Sequence, residues 1–240
     1  MSGRDAPVLR CVHLAVPKDP SFPDEIEDAC AFDEATGLVA VVDGASTGFD
    51  PVAWSRNIAA AALASADDTG PLEMESIVRR ARQAWGERDA PRLPPGIRAK
   101  QTGATVGVVR VRRSGDRREL AGVFIGDVNM MICRTGRLPG VPADLALGSN
   151  YTSSPETLNT EERRSITVRH VDGVRVVPGD VVLLFTDGFG KWLVDRAGCP
   201  SVLDHILSID ARSFISLVRD EQAAHRMELD DVVMVRSVVQ

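Results

Sequence analysis

Five acidic sites stand at the edges of the most apolar segments of this chain, and few folds tolerate buried strands that end on carboxylates. Residues 38–42 (L-V-A-V-V) run into Asp43-Gly44, 123–126 into Asp127, and 181–186 (V-V-L-L-F-T) into Asp187-Gly188. Asp230 and Asp231 precede the last apolar run, and Glu27 and Asp28 precede an earlier one. A carboxylate at the edge of a buried strand is costly unless it is paired or binds a cation. Taken singly, each Asp-Gly or Gly-Asp pair is best read as a turn, and Asp33, Asp172 and Asp180 are so assigned. Repetition changes the reading. If the strand ends converge, the carboxylates repel one another unless something positive sits among them. No Arg or Lys lies within two residues of Asp43, Asp127, Asp187 or Asp230. An oxygen-rich set without His or Cys suits hard divalent cations such as Mg²⁺ or Mn²⁺.

The segments between these sites are legible from periodicity. Strands are expected at 8–16, 28–34 and 38–42, with Thr36-Gly37 turning the chain between the second and third. Residues 51–66 read as a helix capped by Asp50 with Pro51 at its first position. A second helix is expected at 71–87, where Leu72, Ile77, Val78, Ala81 and Trp85 keep helical spacing. Residues 88–100 carry three prolines and read as a connection. A strand meander follows at 104–112, 119–126 and 128–134, then irregular chain at 136–163. Further strands are expected at 165–170, 173–177, 181–186 and 231–239, with helices at 201–209 and 211–225. Strands in antiparallel runs with helices grouped in pairs indicate an α+β layered domain rather than βαβ repeats.

Composition narrows the class. The 240 residues suit one domain, 1–240, with a sizeable core. Net charge is −6 and no basic run stands out, so neither nucleic acid nor an anionic membrane is an expected partner. No apolar stretch approaches the roughly 20 residues that span a bilayer, and M-S-G-R-D-A-P carries no signal-peptide h-region. Cys11, Cys30, Cys133 and Cys199 are scattered without a C-x-x-C pair, which fits a reducing cytoplasm rather than a zinc site or disulfide framework. Cys30 and Cys133 read as small core residues. The four histidines are assigned to surface or core filling. Trp54 and Trp85 are assigned to helix packing, and Trp192 to packing of the Asp187-Gly188 turn.

The ordered motifs E-D-A, V-V-D-G, G-A-T, I-G-D, F-T-D-G and D-D-V-V-M-V, spanning Glu27 to Val238, resemble the metal-dependent protein phosphatase family of type 2C, often called PPM. V-V-D-G-A-S-T-G followed by a Trp-bearing helix resembles a compact bacterial branch of it. The resemblance implies a four-layer α-β-β-α sandwich of two antiparallel sheets flanked by helix pairs, with a two-metal site at one end. It implies hydrolysis of phosphoserine or phosphothreonine in proteins, with two divalent cations, Mn²⁺ or Mg²⁺, as cofactors. Asp43 matches the carboxylate that bridges both metals and Gly44 the glycine whose carbonyl binds one. Asp187 and Asp230 match further ligands of the first metal, and Glu27 the acidic residue serving the second. Asp28 matches a neighbour that orients metal-bound water, and Asp127 an aspartate associated with a looser third metal. A water shared through Asp43 would have its pKa lowered from about 15.7 towards 7, making a hydroxide available for in-line attack on phosphorus.

The chain departs from the family pattern at identifiable places. The phosphate-gripping arginine four residues before the E-D-A glutamate is Pro23 here. Lys18 or Arg10 is the candidate substitute, and Ser46 a candidate substrate contact. Val128-Asn129 replaces S-R, and Lys191 stands where an aspartate helps hold the third metal, so a third metal is not expected. The partners implied are a phosphoprotein substrate and a cognate Ser/Thr kinase or its targets. A second reading is an inactive pseudophosphatase that binds a phosphoprotein as a regulatory module. A third, still a hydrolase, is a partner-switching phosphatase acting on antagonists of anti-sigma factors.

Overall fold

The computed structural model describes residues 7–66, 70–98, 101–114, 117–134, 155–161, 166–196 and 199–240. Its strands are β1 (Leu9–Val16), β2 (Ala29–Asp33), β3 (Leu38–Gly44), β4 (Gly103–Ser114), β5 (Arg117–Ile125), β6 (Asn129–Cys133), β7 (Leu158–Asn159), β8 (Arg169–Val176), β9 (Val181–Phe185) and β10 (Val232–Val239). The helices are α1 (Pro51–Leu63), α2 (Met74–Ala84), a single turn α3 (Pro95–Arg98), α4 (Asp187–Arg196), α5 (Pro200–Ser208) and α6 (Ala211–Ala223). One sheet has the order β1-β10-β9-β6 and the other β2-β3-β4-β5-β8, with β7 added on β4; the pairings are antiparallel.

Alternation along each strand explains why the runs are apolar throughout. In β3, Val39 and Val41 face the space between the sheets, whereas Leu38, Ala40 and Val42 face α1 and α2. In β9, Val182 and Leu184 face between the sheets, while Leu183 and Phe185 face α4–α6. A strand covered on both faces has no solvent side, so both residue parities must be apolar. The resulting layers are α1–α2, sheet, sheet, α4–α6: the four-layer sandwich that the resemblance implied, with three helices rather than a pair on one side.

Local chemistry sets the helix starts. Asp50 accepts from Ala53 N at 3.0 Å, ahead of Pro51 at the first helical position. Asp210 accepts from Ser213 N at 2.8 Å and caps α6 in the same way. Trp54 is buried on α1, donates Nε1–H to the Leu158 carbonyl at 2.9 Å, and meets Trp85 edge-on at 5.8 Å.

Several expectations change. The Asp187-Gly188 step opens helix α4 instead of a plain turn. Trp192 lies inside that helix and donates Nε1–H to Glu221 at 2.8 Å. The strands expected at 165–170 and 173–177 are one strand, β8. Asp172 and Gly173 oppose the single residue Ala121 in a β-bulge, with Gly173 at φ +66°, so Asp172 is a bulge residue and not a turn between strands. The second helix passes into a wider turn, Trp85–Asp89, and the 88–100 connection holds a short 3₁₀ turn and α3. The expectation for 136–163 lies largely outside the described residues; its described part contains β7. Asp33 does cap a turn, accepting from Ala35 N and Thr36 N, and Asp180 holds Val177 N at 3.0 Å while pairing with Arg134 at 3.0 Å. Among the described residues no helix is long and apolar enough to cross a membrane.

Candidate active site

One end of the sandwich collects chain from both sheets. Asp43 and Gly44 close β3, and Asp187 follows β9 after the single residue Thr186. Asp127 lies in the turn where the chain crosses from β5 in one sheet to β6 in the other; Gly126 makes that turn at φ +76°. Lys18, Glu27 and Asp28 lie on another crossing between the sheets, from β1 to β2. Asp230 and Asp231 precede β10, whose Val232 is paired with Val16 at the end of β1. Antiparallel register therefore brings the five acidic sites to the same end of the molecule.

Asp43, Gly44, Ser46, Asp127, Asp187 and Asp230 line a single cleft of about 620 Å³. Asp28 is buried behind it, and Glu27 lies to one side in contact with Ser46. Burial raises the carboxyl of Asp43 well above the usual carboxylate range, and Asp28, Asp187 and Asp127 raise it further. Asp28 is raised by burial and then by Asp231, Asp230 and Asp187, against an opposing hydrogen bond from Thr186. Asp127 is pushed up to about 6 by burial and Asp187, and Asp230 is raised by burial. These causes show that carboxylates far apart in sequence feel one another's charge.

Among the described residues, Lys18 and Lys191 pair with carboxylates of the cluster, and Arg169 lies beside Asp127 on the carbonyls of Gly126 and Val128. Lys18 Nζ is 2.8 Å from Glu27 Oε2 and 3.3 Å from Ser46 Oγ, and the Ser46 hydroxyl also donates to Glu27. Lys191 Nζ is 2.9 Å from Asp187 Oδ2 and 2.9 Å from Glu228 Oε2. Sequence neighbours could not show either pair: Lys191 sits one helical turn beyond Asp187, and Lys18 arrives on the crossover from β1. Arg10, the other candidate substitute for the missing arginine, sits at the start of β1, about 20 Å from the end that carries the cleft.

Asp231 was read only as the second letter of D-D, yet it organises the site. Its buried carboxylate accepts from Lys18 N at 2.6 Å and from Glu27 N at 2.7 Å, pinning both ends of the β1–β2 crossing to the start of β10. Arg219 of α6 adds hydrogen bonds to the carbonyls of Pro17 and Lys18. A D-D pair in which only one member faces the cleft is a usable signal, because the other must satisfy buried donors. Gly44 is equally constrained: a Cβ there would lie 2.5 Å from the Glu27 carbonyl oxygen. Gly44→Ala should cost about 1–3 kcal/mol by overpacking, measured as a lower urea midpoint at unchanged slope.

The donor set can be tested against a divalent cation. The convergent groups are carboxylate oxygens, and Asp28 Oδ2 and Asp127 Oδ1 are buried without a hydrogen-bond partner. Such oxygens are what a hard cation takes as ligands. Among the described residues no three His, Cys, Asp or Glu side chains already stand as a closed ligand set. Asp43 and Asp187 already share a side-chain hydrogen bond, and the residues fit such a cation in kind.

The fold is that of the bacterial serine/threonine phosphatases of the PPM type. The structure is similar to the Mycobacterium tuberculosis serine/threonine phosphatase PstP/Ppp with a TM-score of 0.64 and 20% identity, covering 97% of this chain and 99% of that one. Stp1 from Staphylococcus aureus is similar with a TM-score of 0.65 and 12% identity over all of both chains. The catalytic domain of PstP in complex with two manganese ions gives a TM-score of 0.62 and 18% identity, covering 98% and 99%. No family model and no curated protein sequence matches the chain.

Proposed function

We propose that this chain hydrolyses phosphoserine or phosphothreonine in proteins with two divalent cations, Mn²⁺ or Mg²⁺. The observation that carries the reading is the convergence of Asp43, Asp127, Asp187 and Asp230 in one cleft on a fold shared with serine/threonine phosphatases. Asp43, Asp187 and Asp230 would hold one cation and Asp43 with Glu27 the other, the Gly44 carbonyl being a ligand of one of them; Asp127 is the remaining acidic candidate. When bound, the cations supply a water of lowered pKa and neutralise charge on the phosphoryl oxygens. Asp28, buried with Oδ2 lacking a partner and its carboxyl raised by burial, would orient such a water and can hold a proton. Lys18 Nζ and Ser46 Oγ, 3.3 Å apart at the edge of the cleft, offer donors to a phosphoryl oxygen. The expected substrate is a cytoplasmic phosphoprotein, a product of a Ser/Thr kinase.

Hydrolysis of p-nitrophenyl phosphate and of a phosphothreonine peptide should appear with Mn²⁺ and vanish with EDTA; activity that persists in EDTA would overturn the proposal. Pro23 in place of the arginine, and the lysine pairs on Glu27 and Asp187, favour a second reading as a phosphoprotein-binding pseudophosphatase. Calorimetric titration decides between them: a folded protein that takes up no Mn²⁺ is the second kind.

A further inference from the structure

We propose that Lys191 grips the phosphoryl group from within this cleft, in addition to the donors of Lys18 and Ser46 at its edge, with Glu228 as the positioning residue that keeps its ammonium at the mouth. The inference rests on reading the cleft as a phosphatase site.

The charges of the cleft carry the argument. Among the described residues that line it, Lys191 is the one cationic side chain; the other charged ones are Asp43, Asp127, Asp187, Glu228 and Asp230. A phosphomonoester brings a charge of about −1.5 to −2 at neutral pH. Entry into a carboxylate-lined cleft therefore needs positive charge from the chain, in addition to any cation that the carboxylates hold. Lys18 touches Ser46 at the edge of the cleft without lining it, whereas Lys191 lines the cleft itself.

The placement suits a mobile grip. Lys191 Nζ is held at 2.9 Å by Asp187, whose side chain is 17% exposed, and at 2.9 Å by Glu228, whose side chain is 64% exposed. Its ammonium thus bridges a sheltered carboxylate and one at the open rim. An ammonium has three donors on a rotatable stem, so it can turn one from Asp187 to an incoming phosphoryl oxygen while keeping Glu228. Helix α4 presents Lys191 one turn after Asp187, and Trp192 and Leu193 are packed beside it, which fixes the base of the side chain.

The test uses Lys191→Met, Lys191→Arg and Glu228→Gln in Mn²⁺-loaded protein. Binding of inorganic phosphate is measured by calorimetry, KM and kcat with p-nitrophenyl phosphate, and Mn²⁺ affinity by separate titration. Lys191→Met should weaken phosphate binding and raise KM by about 10- to 100-fold, the worth of a charge-assisted hydrogen bond. It should change kcat less and leave Mn²⁺ affinity equal or higher, since a competitor for Asp187 is gone. Lys191→Arg should stay within about threefold of the parent, and Glu228→Gln should fall between. Unchanged phosphate affinity in Lys191→Met, beside an active parent, sinks the role of Lys191 and spares the phosphatase reading. So does a parallel loss of Mn²⁺ affinity, which would mark Lys191 as structural. A parent that binds neither Mn²⁺ nor phosphate sinks both.

Discussion

Asp43→Asn should leave a folded protein with more than about 100-fold less Mn²⁺-dependent phosphatase activity, because even partners outside the ligand shell cost about 10- to 100-fold in such sites. Asparagine keeps the shape of the side chain and removes the charge. Asp43 ends β3, paired with Thr105 of β4, so the backbone has no reason to move. What changes is the electrostatics: burial and the neighbouring Asp28, Asp187 and Asp127 already disfavour the Asp43 carboxylate in the metal-free protein. The same substitution should therefore stabilise the metal-free protein near pH 8, within the ordinary range of single substitutions, about 0.5–3 kcal/mol. The paired readout is decisive. Lost activity with lost folding would say only that Asp43 is structural. Lost activity and lost Mn²⁺ uptake, with an unchanged or raised melting temperature, separates function from stability. An Asp43→Asn protein as active as the parent would end the assignment.

Stability of the metal-free protein should fall as pH rises from about 5.5 to 8, and Mn²⁺ should reverse that slope. The carboxyls of Asp28, Asp43 and Asp127 are raised by burial in the folded chain, Asp127 to about 6. A raised carboxyl binds its proton more tightly folded than unfolded. Its contribution is complete below the unfolded pKa near 4 and is lost as pH climbs through the folded value. Glu221 runs the other way: hydrogen bonds from Arg226 and Trp192 hold it down to about 2, so its contribution is present above the ordinary carboxylate range. Between 5.5 and 8 Glu221 is constant; His13, whose imidazole is held below its ordinary value by burial, adds stability as pH rises to about 6.5, and the cleft carboxylates must outweigh it to give the fall. Asp127, raised to about 6, loses only the last part of its contribution above pH 5.5, on the order of 0.5 kcal/mol after discounting for solvent at the cleft mouth, or about 1–2 °C in Tm; Asp28 and Asp43, held well above the usual carboxylate range, supply the rest of the fall. With saturating Mn²⁺ the ionised carboxylates become ligands, and stability rises by the binding free energy, about 2.7 kcal/mol at 100 times Kd. A metal-free protein equally stable at both pH values would mean that these carboxylates are better solvated than the structure shows.

The layered architecture was legible because its physical cause is local. A strand covered on both faces must be apolar at every position, so 38–42 and 181–186 announced themselves, and Asp50-Pro51 marked a helix start. The two-strand reading of 165–177 failed for an equally local reason: an Asp-Gly pair in a bulge looks like one in a turn, since both use a glycine at positive φ. Helix α4 was missed because Gly188 and Gly190 lower helix propensity, while packing of Phe189, Trp192 and Leu193 against the sheet overrides it.

The site divides differently. The identities of Asp43, Asp127, Asp187 and Asp230 stood out as carboxylates after apolar runs, and antiparallel pairing brought them to one end. Lys18 stood out only as a candidate substitute for the missing arginine, Lys191 only as a departure from the family pattern, and Asp231 not as a residue that ties the walls. Lys18 N and Asp231 Oδ1 meet across 213 residues of chain, and Glu27 N and Asp231 Oδ2 across 204. By itself, the amino-acid sequence determined where strands begin, which faces they bury and which residues carry negative charge. Those properties depend on side chains and on neighbours a few positions away. Only the folded chain decided which carboxylates share a cleft, which lysines enter it and which aspartate ties its walls together. A hydrogen bond or ion pair acts over a few ångströms, and that closeness exists only once two sheets have packed and their crossings have closed.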